Sequence, residues 1–223
     1  MTAMNDFLQF WAKAADDLHR HPDDAAALND GGHAFALDTL VGPWMGPLRT
    51  ASVVLLTLNP GFSGVEAGEA LMPAVRTNVA RNLAGQAPLP NFATNPAGRR
   101  WTEARLAQFD LGYSTAADKV AFVNLMPYRS REGGKDRRML DRLTSVQMVR
   151  SLMRDTLFPE ARAGKRVVVC LRSARDWGLE PNSQQGEALF APQFTRSGFI
   201  FHVDRDRVAS AVRRAVWKTG DYA

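Results

Sequence analysis

The stretch Val53-Val54-Leu55-Leu56-Thr57-Leu58-Asn59-Pro60-Gly61-Phe62 runs from β-formers into an amide, a ring-locked φ, a residue without Cβ and an aromatic. Its apolar run is continuous and does not alternate, the mark of a strand buried on both faces of a parallel sheet. Two further runs share that character, Val120-Ala121-Phe122-Val123-Asn124-Leu125 and Arg166-Val167-Val168-Val169-Cys170-Leu171. A last strand is expected at Phe199-Ile200-Phe201-His202-Val203, with Asp204 capping a helix over 205–217.

Helical patterns separate these strands. Phe7, Phe10, Trp11, Ala14 and Leu18 recur at helical spacing after a cap at Asn5, and Gly42 to Pro47 form a tight loop feeding the first strand. Residues 74–84 read as a helix between Pro73 and Gly85. After a Pro/Asn/Gly loop at 85–98 comes a helix with Trp101, Leu106 and Phe109, and a long helix is expected at about 138–157. Ser173 starts a short helix through Trp177. The alternation predicts an α/β fold: a three-layer α/β/α domain with a short, mostly parallel central sheet. Residues 1–223 read as one domain, with 1–47 as an N-terminal helix and loop packed on it.

The chain has 223 residues, 45% of them hydrophobic and 23% charged, the balance of a soluble protein with a sizeable core. One cysteine, Cys170, excludes an internal disulfide framework. The N-terminal residues lack a basic flank followed by an apolar run, and no stretch approaches membrane-span length, so a cytoplasmic location is expected. The net charge of +5 is unevenly spread. Residues 1–75 carry 3 Lys/Arg against 9 Asp/Glu, whereas residues 76–223 carry 25 against 14. A basic lobe suits a polyanion such as DNA; a solvated arginine-rich surface is the plainer account.

Several chemistries fail on pattern. No G-x-G-x-x-G follows a strand, and Gly164-Lys165 leads into a strand and not into a helix. His19 and His21 beside Asp23 and Asp24 read as exposed residues at a helix end, so no metal is expected; Cys170 reads as a small buried hydrophobe. Gly61-Phe62-Ser63-Gly64 follows a strand as a nucleophile elbow does, but Val65 stands where that pattern has its second glycine. An α/β serine hydrolase using Ser63 is therefore a minor alternative.

In a parallel sheet ligands sit beyond the carboxyl ends of the strands, so the residues just past each strand carry the information. Taken together they resemble the uracil-DNA glycosylase superfamily. LNPGFSG (58–64) resembles the first motif of its mismatch-specific uracil/thymine branch. FVNLMPYRSR (122–131) resembles the second-strand segment, where an Asn ends the strand and a Pro-containing loop follows. SLMRDTLFPEARAGKRVVVCLRSARDW (151–177) resembles the helix, Pro-punctuated turn and Val-rich strand that come next. The superfamily's later His-Pro-Ser loop is absent; His202-Val203-Asp204-Arg205 stands in its approximate place.

The resemblance implies hydrolysis of the N-glycosidic bond of a damaged or mismatched base in single-stranded or mismatched DNA, without a cofactor. Asn59 would orient water and His202 would assist; Pro60, Gly61, Phe62, Asn124 and Tyr128 would hold the base; Arg129, Arg131, Arg172 and Ser173 would meet phosphates. The residues leave plainer readings open: a strand-ending turn at Asn59, core packing at Phe62, a backbone partner for Asn124. A non-catalytic nucleic-acid or nucleotide-binding relative is the main alternative.

Overall fold

Along the strand Val53–Thr57, Val53 and Leu55 belong to one hydrophobic core, Val54 and Leu56 to another. Successive side chains leave a strand on opposite faces, so a continuous apolar run needs a covering layer on each side. A computed structural model, describing residues 3–85, 87–91, 93, 95–132, 135–195 and 198–217, shows both layers. Among these residues the strands are β1 (Trp44–Met45), β2 (Val53–Thr57), β3 (Val120–Asn124), β4 (Val167–Cys170), β5 (Ser183–Gln185) and β6 (Leu189–Ala191).

They form one mixed sheet in the order β1-β3-β2-β4-β6-β5. The inner four, β3, β2, β4 and β6, are parallel; β1 and β5 are antiparallel edges. In register, Val53 stands beside Val120 and Val167, and Leu56 beside Val123 and Cys170.

The helices are α1 (Ala3–Ala12), α2 (Ala25–Asn29), α3 (Glu66–Glu69), α4 (Pro73–Leu83), α5 (Pro96–Ala107), α6 (Tyr113–Ala116), α7 (Thr144–Leu152), α8 (Phe158–Arg162) and α9 (His202–Trp217). One face of the sheet meets Phe7 and Trp11 of α1, Val146 and Val149 of α7, and Phe158 of α8. The other meets Leu106 of α5 and Val208, Val212 and Val216 of α9. The result is a mixed α/β fold with its sheet covered on both sides. Among the described residues no helix is long and apolar enough to cross a membrane.

Three local expectations change. Phe199–Val203 is not a strand: only Ile200 bridges, to Phe194, and α9 already begins at His202. Phe201 and Val203 are 38% and 71% exposed, so the alternation there has no sheet to face. The fourth parallel strand is β6, whose three residues are too few to show a period.

The helix expected at 138–157 is broken into α7, a π turn at Met153–Leu157, and α8. Pro159 lacks an N–H and its ring crowds the carbonyl four residues back, so the ladder widens there.

His21, expected at an exposed helix end, is 0% exposed. Its ring stacks on Phe10 at 3.6 Å, Nδ1 accepts the Asp23 N–H at 3.1 Å and Nε2 donates to the Phe10 carbonyl at 2.8 Å. In the Pro/Asn/Gly loop, residues 86, 92 and 94 lie outside the described residues.

Candidate functional site

After β2 the chain crosses to β3 on one side, and the next parallel strand, β4, lies on the other. That reversal of order opens a crevice beyond the carboxyl ends of β2 and β4, where open parallel sheets bind ligands. A half-open cavity of about 310 Å³ lies there. The residues leaving β2, from Thr57 to Phe62, form one wall; Leu171 and Arg172, leaving β4, form another. Trp101 and Arg105 of α5, Ser130 and Gly198 complete it.

The β2 wall is built deliberately. Leu125 and Met126 donate to the carbonyls of Thr57 and Leu58 at 3.1 and 2.8 Å, extending the β2–β3 pairing two residues past the strands. Pro60 has no N–H and the pairing stops. Gly64, with φ of 96°, then turns the chain into α3. Glu66, only 5% exposed, reaches back to accept from the N–H groups of Ser63 (3.0 Å) and Gly64 (2.9 Å) and from the Ser63 hydroxyl (2.9 Å). Glu66 opens α3, so its carboxylate closes the turn that leads into the helix. Burial works to raise the Glu66 pKa, but these donors and the Arg129 charge outweigh it, and the carboxyl lies below its ordinary range. Arg129, 3.9 Å from Glu66, also donates to the Gly61 carbonyl.

Gly61 closes the Asn-Pro-Gly triplet. Its φ is not in the left-handed region, and a Cβ there would meet nothing within 4 Å. The fold therefore has no steric need for glycine at 61; what its absent side chain leaves is open backbone. Among the described residues Asn59 makes one side-chain hydrogen bond, Nδ2 to the Pro60 carbonyl at 3.3 Å, and Oδ1 accepts from none of them. Phe62 is half-buried, with Arg131 at 5.3 Å over its ring.

The other expected site residues are dispersed. Asn124 lies at the same end of the sheet as Asn59 but does not line the cavity. Its Oδ1 accepts from Thr57 Oγ1 at 2.5 Å and its Nδ2 donates to the Gly42 carbonyl at 2.7 Å, fastening the loop before β1. Tyr128 is a core residue, 2% exposed, donating to Asp24 Oδ2 at 2.7 Å. Reaching a ligand would cost it that buried bond. His202, the first residue of α9, is exposed and lines no part of the cavity. Arg131 makes a two-pronged pair with Asp38 (2.6 and 2.7 Å) at the surface. Ser173 sits just past Arg172 with φ of 63° and accepts from Arg137 at 3.3 Å. A left-handed serine is a costly conformation, here one residue past the cavity-lining Arg172. Ser63 does not line the cavity; its hydroxyl donates to Glu66 at 2.9 Å, and among the described residues no histidine lines the cavity.

Trp101, Arg105 and Ser130 were not expected at a site. The signal was present at Arg105: with Thr102, Leu106 and Phe109 it falls on the buried face of its helix, where an arginine is out of place. It is 9% exposed, and its guanidinium lies over the rings of Trp101 (4.6 Å) and Phe199 (4.8 Å). Burial, and secondly Arg172, lower its pKa.

The lining holds no carboxylate, histidine, lysine or cysteine among the described residues. It offers aromatic faces, an amide, two hydroxyls and two guanidiniums, which stack, hydrogen-bond and neutralise but do not exchange protons near neutral pH. No three metal-ligating side chains converge among the described residues, and Cys170 is buried with its thiol pushed up to about 12 by burial. Comparison with protein-family models, curated proteins and solved structures finds no match to the chain.

Proposed function

We propose that the chain is a DNA glycosylase of the uracil-DNA glycosylase type, which binds an extruded nucleobase in this cavity and hydrolyses its N-glycosidic bond. The observation that carries the reading is Gly61: the Asn-Pro-Gly-Phe segment walls a cavity with open backbone at a residue whose geometry does not call for glycine. The order β3-β2-β4-β6, with the cavity at its switch, supports the same reading. In this account Asn59 Oδ1 accepts from a water whose oxygen attacks C1′ of the sugar. The base departs with the bonding pair, its negative charge met by donors of the cavity until it takes up, through solvent, the proton that the attacking water loses, while Phe62 and Trp101 provide apolar faces for its ring. An amide takes no proton, so the rate rests on positioning and on stabilising the leaving group.

A second reading, a nucleotide-binding relative without turnover, is favoured by the same lining, which among the described residues lacks a group able to act as general base. Base release from oligonucleotides carrying uracil, hypoxanthine, xanthine or a mismatch separates the two. Release of one free base supports the glycosylase; saturable binding without release supports the binder.

A further inference from the structure

The backbone N–H groups of Gly61, Phe62, Ser63 and Gly64 follow Pro60 in succession. Those of Ser63 and Gly64 donate to Glu66, and neither residue lines the cavity. Gly61 and Phe62 do line it, and among the described residues their N–H groups meet no acceptor. Arg129 stands outside the lining but touches this pair: among the described residues its one hydrogen bond goes to the Gly61 carbonyl oxygen. The Glu66 carboxylate, 3.9 Å from the guanidinium, is beyond hydrogen-bond reach. A guanidinium ordinarily directs its N–H fork at a carboxylate. This one is directed at a peptide of the cavity wall.

That peptide joins the Gly61 carbonyl to the Phe62 N–H. A cation on the oxygen draws density through the conjugated C–N bond, so the N–H becomes a stronger donor. Glu66 offsets the guanidinium charge at longer range, so the influence on the cavity runs chiefly through the peptide. We infer that Arg129 is a positioning residue for negative charge in the cavity, holding and polarising the Gly61–Phe62 peptide so that its N–H favours an anionic ring over a neutral one. The assignment rests on the reading of the cavity as a nucleobase site.

Calorimetric titration with 5-fluorouracil, an N–H acid, below and above its first ionisation tests it. The wild type is expected to bind the anion more tightly than the neutral base. Glu66→Gln loosens the wall but removes an opposing negative charge, so the preference for the anion should persist or grow. Adding Arg129→Gln to Glu66→Gln should weaken the anion about tenfold and the neutral base about twofold or less, on the scale of one lost charge interaction at partial exposure. Arg129→Lys in the same background keeps a cation and should recover part of the loss. A wild type that binds neither form or does not prefer the anion overturns the inference. So does an equal loss for both forms on Arg129→Gln, which a purely structural brace would give. If the double variant does not fold, Glu66→Gln decides alone, because loss of the preference there also overturns it. Base release is read separately: an anion preference dependent on Arg129 without release contradicts the glycosylase alone, and release without that preference contradicts the role of Arg129 alone.

Discussion

Arg129, in the loop after β3, hydrogen-bonds the carbonyl oxygen of Gly61, in the loop after β2. The two loops that follow adjacent parallel strands are thereby tied, and Glu66 completes the tie by holding Ser63 and Gly64 from below. The wall that carries Asn59 and Phe62 is a braced segment.

Removing the brace should be costly. Glu66→Ala leaves two N–H groups and the Ser63 hydroxyl without their acceptor and removes the carboxylate beside the Arg129 guanidinium, and is expected to destabilise the fold by about 2–4 kcal/mol. Glu66→Gln keeps the shape and one acceptor and should cost less. Because the folded-state pKa of Glu66 is depressed, its contribution is present above the unfolded carboxyl range and is lost as pH falls through the folded value. Denaturant unfolding of the two variants measures this; equal stability of Glu66→Ala and wild type would show that the brace carries nothing.

Gly61→Ala separates fold from function. With nothing within 4 Å of the added methyl and φ outside the left-handed region, unfolding free energy should change by less than about 0.5 kcal/mol. The methyl would occupy the space that a ligand needs to approach the backbone, so nucleotide affinity should drop about tenfold or more on the proposed reading. Thermal unfolding and titration on the same preparation check both halves, and unchanged affinity would return Gly61 to being an ordinary loop residue.

His21 sets a different pH dependence. Burial, the largest influence, lowers its pKa against the opposing pull of the Phe10 carbonyl and of Asp24 and Asp23. The folded protein thus holds the neutral ring, with Nδ1 accepting from Asp23. Stability from this group is present above the unfolded value of about 6.5 and is lost as pH falls below it, because the unfolded chain takes up the proton first. Unfolding free energies between pH 8 and 5 should fall toward acid, and the slope should shrink in His21→Asn. A slope identical in the two proteins would rule His21 out as its source. Glu66 acts at lower pH, so the two effects are separable.

The sequence made the inner strands legible where their runs were long. β2, β3 and β4 are unbroken Val/Leu-rich segments with no competing helical period, and the residues past β2 pointed to the crevice. β1 and β6 have two and three residues, and their pairing is decided by neighbours distant in the chain. Asn124 and Tyr128 show an ambiguity: a polar group at or past a strand end suits a ligand and a buried protein partner equally, and here the Gly42 carbonyl and the Asp24 carboxylate engage them. Arg105 was missed because an arginine on a helix ordinarily faces water; here α5 turns it inward over Trp101.

The central claim is that Asn59 works on a ligand and does not merely end a strand. Single-turnover base release by wild type and Asn59→Ala, on whichever of uracil, hypoxanthine, xanthine or mismatch substrates the wild type processes, tests it most directly. Among the described residues Asn59→Ala removes one 3.3 Å bond to the neighbouring residue, so the variant should unfold within about 1 kcal/mol of wild type. Its turnover should fall roughly ten- to a thousandfold, the scale of one lost catalytic contact. A folded Asn59→Ala protein releasing base at the wild-type rate, or a wild type releasing none, would contradict the account.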